Sequence, residues 1–168
     1  MINIAVASEK DIPAIIQIAE KTWWSTYSTF LSADQIRYML DTIYSPGILR
    51  QVMIDGSQTF IVLHDERRPQ GFASFGVRSE DQNVYKLHKI YVLPENQGKG
   101  YGKMLIEEVK NRIRKKNVYT LDLNVNRFNP ARTFYEKMGF KVLREEDIPI
   151  GMYWMNDFVM RLELTVGF

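Results

Sequence analysis

Three glycines crowd the junction between a β-rich segment and a helical pattern: Gly98, Gly100 and Gly102. Glycine tolerates positive φ and has no Cβ, so several backbone N–H groups around it can approach one anion. At the start of a helix those donors and the helix dipole favour negative charge. The spacing therefore predicts a phosphate-binding loop, to which Lys99 and Lys103 add positive charge.

Two common nucleotide-binding motifs do not fit this loop. A Walker A loop would need glycine at Gln97 and serine or threonine at Met104. A dinucleotide-binding fingerprint would place its third glycine at Lys103. The pattern that remains is Gln97-x-x-Gly100-x-Gly102, so the loop belongs to another class of phosphate binder.

The rest of the chain predicts the elements that hold this loop. Strand-like segments occur at 2–6, 59–63, 71–77, 84–93, 119–125, 140–143 and 154–164. Helical spacing occurs at 9–22, from the Ser32 cap to about Tyr44, at 101–116 and at 129–138, with a further turn or two at 48–54. The order β-α-α-β-β-β-α-β-α-β-β predicts a mixed sheet with helices on both faces.

Composition excludes several functional classes. The chain has 168 residues and 45% apolar residues, which predicts one globular domain spanning 1–168. It has no cysteine and two histidines, so disulfides, thiolate metal sites and a cysteine nucleophile are excluded and no metal is expected. No secretory signal or apolar run of membrane-spanning length is present, so we expect a cytoplasmic protein with no membrane partner.

The charge pattern does not favour a nucleic-acid partner. Lys and Arg number 22 against 20 Asp and Glu, and the basic run at 110–116 lies in the last turns of a helix, where cations complement the helix dipole. An apolar final strand at 158–164 could pair across subunits, so the expected state is a monomer or a homodimer.

Two motifs resemble the GCN5-related N-acetyltransferase (GNAT) superfamily. The loop matches the family's pyrophosphate pattern, Gln/Arg-x-x-Gly-x-Gly/Ala. Residues 129–140 resemble its Asn-x-x-Ala-x-x-Phe-Tyr-x-x-x-Gly-Phe segment, with one residue fewer between the asparagine and the alanine. Residues 89–94 and the chain ending at 154–160 are similar to small bacterial members that include polyamine acetyltransferases. The resemblance implies an α/β (α+β) fold with a mixed, mostly antiparallel central sheet of about six to seven strands, flanked by helices on both faces.

The resemblance also implies that acetyl-CoA is the co-substrate. In the family, backbone groups of the fourth strand pair with the pantetheine arm, and loop amides hold the pyrophosphate. The residues so assigned are Ile90, Val92, Gln97, Gly98, Lys99, Gly100, Tyr101, Gly102, Lys103, Met104, Asn129 and Arg132. Asn129 is also well placed to cap the helix that begins with Pro130.

Tyr135 matches the family position of a general acid that protonates the departing thiolate. The alternative is that Phe134 and Tyr135 are packing residues of one helix. The lack of cysteine fits direct attack by an amine in a ternary complex, without a covalent enzyme intermediate. Among family members the amide of the residue corresponding to Val92 helps to polarise the thioester carbonyl.

The general base is open. Some family members use a glutamate near the fourth strand, and the segment 84–93 contains none. His88 titrates near neutrality when unperturbed, and period-two alternation places it on one face with Ile90 and Val92. A packed or surface histidine, or deprotonation through water, are the alternatives. Tyr91, on the opposite face, is predicted to line either the acceptor cleft or the core.

The acceptor site is expected near the first two helices, where aromatic residues cluster. Trp23, Trp24 and Tyr27 suit an apolar or cationic ligand, because a protonated amine can rest over an aromatic face. Asp34 or the acidic triplet at 145–147 could supply charge. The alternatives are that these aromatics anchor a helix to the sheet and that the triplet is a solvated turn.

These observations predict an N-acetyltransferase that transfers an acetyl group from acetyl-CoA to an amine. The acceptor is either a small molecule, such as a polyamine or another amino compound, or a protein amine. The alternative is an acyl-CoA-binding sensor that keeps the fold without turnover, because the strand lacks the family glutamate.

Overall fold

A computed structural model describes residues 1–166. Within them a seven-stranded sheet is flanked by five helices, which confirms the predicted fold class. The strands are β1 (Ile2–Val6), β2 (Thr59–Asp65), β3 (Arg68–Arg78), β4 (Asp81–Val92), β5 (Thr120–Asn126), β6 (Lys141–Ile150) and β7 (Tyr153–Glu163). The helices are α1 (Ile12–Tyr27), α2 (Ala33–Ile43), α3 (Pro46–Ile54), α4 (Tyr101–Arg114) and α5 (Ala131–Lys137).

The sheet has the strand order β1-β2-β3-β4-β5-β7-β6. Neighbouring strands are antiparallel except β4 and β5, which run parallel. Helices α1, α2 and α3 pack on one face, where Ile15, Ile36 and Leu49 are fully buried with Phe60. Helices α4 and α5 cover the other face, and Ile61, next to Phe60 in β2, points into that second core. Successive residues of a strand point to opposite faces, so β2 serves both cores.

Strands β4 and β5 pair over a short distance only. Residues 85–87 of β4 oppose residues 121–123 of β5, yet β4 continues to Val92 and β5 to Asn126. The two parallel strands therefore separate beyond Leu87, and the β5-facing edge of β4 has no strand partner there. The separation opens a cleft in the middle of the sheet.

A β-bulge marks the point of separation. Phe75 of β3 opposes Leu87, and Ser74 opposes Lys89, so no β3 residue opposes His88. Leu87 and Ile90 consequently both pack in the core under α4. A bulge bends its strand, and this one lies where β4 turns away from β5.

Two predicted elements are longer than the sequence indicated. The helical turns predicted at 48–54 are present, and the helix begins at Pro46, because the Ser45 side chain accepts a hydrogen bond from the Ile48 amide (3.3 Å) and Pro46 occupies the first turn. The strand predicted at 140–143 extends to Ile150, so the acidic triplet at 145–147 lies in a strand rather than in a turn. Strand β6 is an edge strand that is mostly exposed, and it lacks the apolar alternation that marks a half-buried strand.

Candidate active site

A cleft with a volume of about 440 Å³ lies between the separated ends of β4 and β5. It is lined by α1, β4, the loop before α4, β5 and α5. Most of the residues predicted for the site line it: Tyr27, His88, Ile90, Tyr91, Val92, Gln97, Gly98, Gly100, Tyr101, Gly102, Lys103, Asn129 and Tyr135.

The glycine loop brings backbone donors to one end of the cleft. Gly98 and Gly100 have φ values of 88° and 84°, which side-chain-bearing residues rarely adopt. Gly100 is the N-cap of α4, and the Met104 amide donates to its carbonyl at 3.1 Å. The amides before Met104 therefore stand in the first turn, where a helix supplies no partner for them. Such a turn is suited to bind an anion.

The third glycine faces α5. A Cβ on Gly102 would make an ordinary van der Waals contact, 3.4 Å from Cζ of Phe134. The ring of Phe134 belongs to α5, so the start of α4 lies next to that helix. The two predicted motifs thus meet at the cleft, although about thirty residues separate them along the chain.

Tyr135 is buried in the cleft wall. It is 9% exposed, and its ring packs edge-on against Phe140 at a centroid distance of 6.0 Å. Burial raises the pKa of the phenol, and the neighbouring Tyr27 raises it further. The Tyr135 hydroxyl is therefore protonated at neutral pH and can act as a proton donor.

Asn129 caps helix α5 and also lines the cleft. Its Oδ1 accepts a hydrogen bond from the Ala131 amide at 2.9 Å, which caps α5. Its Nδ2 donates to Oη of Tyr27 at 3.4 Å, inside the cleft. The cap therefore ties α5 to the end of α1 across the sheet.

His88 lines the cleft at the bulge of β4. Burial lowers the pKa of its imidazole to about 3, and the charges of Lys86, Lys89 and Arg78 act in the same direction. The ring is neutral at physiological pH and has a weak affinity for a proton. The alternation that placed His88 on one face with Ile90 and Val92 is interrupted by the bulge.

The family model for the acetyltransferase (GNAT) domain matches residues 28–164. The chain belongs to the GNAT acetyltransferase family. This confirms the family indicated by the two motifs, and with it the prediction of an acetyltransferase enzyme. A spermidine N(1)-acetyltransferase of Thermoplasma acidophilum is 28% identical over 143 residues, covering 84% of this chain and 89% of the relative. An uncharacterised N-acetyltransferase of Mycobacterium tuberculosis is 26% identical over 156 residues, covering 92% and 99%.

A solved structure agrees with this assignment. The PaiA N-acetyltransferase from Thermoplasma acidophilum, in complex with coenzyme A, superposes with a TM-score of 0.84 at 27% identity, covering 97% of this chain and 99% of that one. The residues that the family model matches contain strands β2 to β7 and helices α2 to α5.

Three residues predicted at the cofactor of this GNAT protein lie outside the cleft lining. The Lys99 ammonium donates to Oδ1 of Asn96 at 2.8 Å, and the Met104 amide is used within α4. Nε of Arg132 pairs with Glu136 at 2.6 Å, and its guanidinium lies 4.4 Å from the ring centre of Phe158. Each of the three residues therefore has a partner within the protein.

The aromatic cluster of α1 divides into three environments. Trp23 is 3% exposed and stacks on Tyr27 at 4.3 Å, behind the cleft wall. Trp24 lies under the Arg37 guanidinium at 5.5 Å, away from the cleft. Tyr27 and Tyr91 face the cleft. The two tryptophans therefore have the anchoring role that the sequence offered as the alternative.

Sequence reasoning missed several residues that line the cleft. They share no motif and come from elements that flank the loop: Thr22, Thr26, Asn96, Leu123, Asn124, Val125 and Phe134. Asn124 carried a usable signal, because it is a polar residue between the apolar residues Leu123 and Val125 of a buried strand. On alternation it must face away from the α4 core.

Two features are absent from residues 1–166. Among residues 1–166 no helix is long and apolar enough to cross a membrane. No aspartate or glutamate is among the described residues that line the cleft.

Proposed function

We propose that this single-domain protein transfers an acetyl group from acetyl-CoA to a primary amine. The acceptor is a small molecule, such as a polyamine or another amino compound, or a protein amine, and it attacks directly in a ternary complex. The observation that carries the proposal is the composition of the cleft. The free edge of β4, the backbone amides at the start of α4 and the protonated hydroxyl of Tyr135 meet there. The spermidine acetyltransferase among the relatives supports an amine acceptor.

The donor side of the cleft, residues 90–103, fits an acyl-CoA. The edge of β4 at Ile90 and Val92 is free of β5 and can pair with an extended chain that carries amide groups. The amides of residues 98–103 lie at the start of α4, where a pyrophosphate fits by charge and by hydrogen bonding. The coenzyme A complex of the related PaiA structure supports this assignment.

Acyl-CoA would supply an acyl group activated as a thioester. The residues of this chain do the remaining work. The amides of the glycine loop bind the phosphates, the edge of β4 orients the thioester arm, and Asn129 holds Tyr27 at the opposite wall. Burial keeps the proton on Oη of Tyr135, and this hydroxyl would donate it to the sulfur as negative charge develops there.

The first experiment measures the donor site alone. Calorimetric titration with acetyl-CoA and with CoA is made on the wild type and on Gly100→Glu, which places a side chain and a negative charge where φ is 84°. We expect micromolar binding by the wild type and its loss in a variant with an unchanged circular dichroism spectrum. Absence of binding by the folded wild type would contradict the proposal.

The second experiment measures turnover. Thiol release from acetyl-CoA is followed with spermidine, a lysine peptide and an alanine-terminated peptide. The alternative function, an acyl-CoA sensor, is favoured by the absence of a carboxylate among the described residues of the cleft lining. A sensor would bind acetyl-CoA and release no thiol with any amine, whereas the proposed enzyme releases thiol with at least one.

A further inference from the structure

A carboxylate lies directly behind the cleft wall. Asp157 is on β7, opposite Asn126 of β5, and only 6% of its surface is exposed. Oδ2 of Asp157 accepts a hydrogen bond from Nδ2 of Asn124 at 3.3 Å. Because Asn124 lines the cleft, the carboxyl group is one side chain away from the reacting space.

Two oxygen atoms of this pair lack donors. Oδ1 of Asp157 and Oδ1 of Asn124 are buried, and neither accepts a hydrogen bond from any residue within 1–166. A buried acceptor without a donor is costly, so native structures rarely leave one without a reason. The two hydrogen-bonded side chains together offer two free acceptor atoms, which match a group that has several N–H donors and no acceptor. A primary ammonium group has this composition.

Within the described structure, no lysine or arginine side chain forms an ion pair with Asp157. The charged side chains that act on it are Lys86 of β4, Glu146 of β6 and Arg127 of the loop after β5. Arg127 instead pairs with Asp147 at 2.8 Å, and Lys86 is not within ion-pair distance of Asp157. Tyr27 of α1, which lines the cleft, also lies within the electrostatic reach of this carboxylate.

The environment makes Asp157 a better base than an exposed carboxylate. Burial raises its pKa and Glu146 adds to the effect, against the opposing influences of the Asn124 hydrogen bond, Lys86 and Arg127. His88, the base candidate of the sequence, has a pKa lowered to about 3 and binds a proton more weakly. Of the two groups, Asp157 is the stronger proton acceptor.

We propose that the Asn124 side chain, which separates Asp157 from the cleft, swings aside so that Asp157 binds the ammonium group of the acceptor and removes its proton. In this step an N–H bond of the ammonium breaks, an O–H bond forms at Oδ1 of Asp157, and the electron pair stays on nitrogen as the nucleophile. Asp157 returns the proton to solvent after the product leaves. The inference rests on the proposed function and narrows the acceptor to aliphatic amines that are cationic in solution.

The test compares Asp157→Asn with Asp147→Asn, an exposed carboxylate of the neighbouring strand that pairs with Arg127. Acetylation of spermidine is compared with acetylation of aniline, which is uncharged at neutral pH. For Asp157→Asn we expect a 100-fold or greater loss of kcat/KM for spermidine, loss of the acidic limb of the pH profile, and less than a threefold change for aniline. Such a loss lies within the ~10²–10⁴-fold range of general acid–base catalysis.

Several outcomes would overturn the inference. One is a kcat/KM for spermidine within threefold of the wild type in Asp157→Asn, and another is an equal loss for spermidine and aniline. A wild type that acetylates aniline but neither binds nor acetylates spermidine also contradicts it. A wild type that binds acetyl-CoA and acetylates no amine would reject the proposed function as well.

A second variant tests the same site should Asp157→Asn fail to fold. Asn124→Asp keeps the shape of the side chain and adds a carboxylate to the cleft wall. If the wall receives a cation, this variant lowers the KM for spermidine and leaves the affinity for acetyl-CoA within twofold. An unchanged or raised KM for spermidine in a folded Asn124→Asp protein would count against a cation site.

Discussion

The two sides of the cleft are built from different groups. On the donor side, residues 90–103, the ligand would meet backbone amides and a free strand edge, and Gly98 and Gly100 supply the geometry. On the acceptor side, defined by Tyr27, Asn124 and Asp157, it would meet side chains from three elements. A backbone site can be specified by one short motif, whereas a side-chain site needs residues that only the folded sheet brings together.

The largest effect is expected where the two sides meet, at Tyr135. Replacement by phenylalanine removes the protonated hydroxyl and keeps the ring that packs on Phe140. We expect kcat to fall about 100-fold or more, the range of general acid catalysis, with unchanged binding of acetyl-CoA in calorimetry. Tyr119→Phe, a half-buried tyrosine away from the cleft, serves as the control. A less than fivefold fall for Tyr135→Phe would make Tyr135 a packing residue.

The pH dependence of the free energy of unfolding should arise from a buried lysine on the face of the sheet that carries the acceptor side. Lys89 is 8% exposed, donates to Gln58 at 2.7 Å, and burial lowers its pKa to about 8. Between pH 8 and 9.5 the unfolded chain keeps a proton that the folded chain has lost, so the free energy of unfolding rises with pH. At about 1.4 kcal/mol per pH unit, the gain approaches about 2 kcal/mol.

Urea unfolding across this pH range measures the gain. Lys89→Met should remove the slope, whereas Lys141→Met, at an exposed position, should keep it. Identical slopes in the wild type and in Lys89→Met would mean that Lys89 does not titrate in this window.

A smaller effect is expected from the conformation of the donor loop. Gly100→Ala adds a Cβ that meets no atom within 4 Å, so its cost comes from the positive φ alone. A side chain in this region costs about 1–2 kcal/mol. When the loop of the variant relaxes without ligand and acetyl-CoA returns it to this conformation, the cost corresponds to roughly tenfold weaker binding. Gly47→Ala, in α3, where an added Cβ also meets no atom within 4 Å, is the matched control, and calorimetry compares the two. Equal affinities would mean that binding does not return the loop to a strained conformation.

The smallest effect is expected at Trp24. Its ring pairs with Arg37 and does not line the cleft, so Trp24→Phe should change kcat/KM for the acceptor by about twofold at most. A tenfold loss of kcat/KM in steady-state kinetics would show that Trp24 belongs to the acceptor side.

The sequence predicted the glycine loop, the strand before it and the helix after it, because their signals are local. Gly98 and Gly100 are required by a turn that spans a few residues, and the adjoining strand and helix have clear periods. The order of the elements was also predictable, since each apolar pattern reflects burial against its own neighbours. The extent of β6 was not, because an exposed edge strand is defined by its hydrogen bonds to β7.

The acceptor side was predictable only in part. Trp23 and Trp24 signalled aromatic packing, yet helix α1 continues to Tyr27 and turns only this last ring toward the cleft. Asp157 stands in an apolar strand 33 positions after Asn124. Their contact depends on β7 inserting between β5 and β6, which no local pattern encodes.

The free edge of β4 has a consequence for solubility. Exposed strand edges attract the strands of other chains and promote aggregation, and proteins commonly blunt them with charge or cover them. Here the vacant edge lies inside the sheet, between β5 and the α4 loop, rather than at its rim. The parting of β4 and β5 thus gives the protein a pairing surface that lies away from the rim of the sheet, where strands of other chains would add.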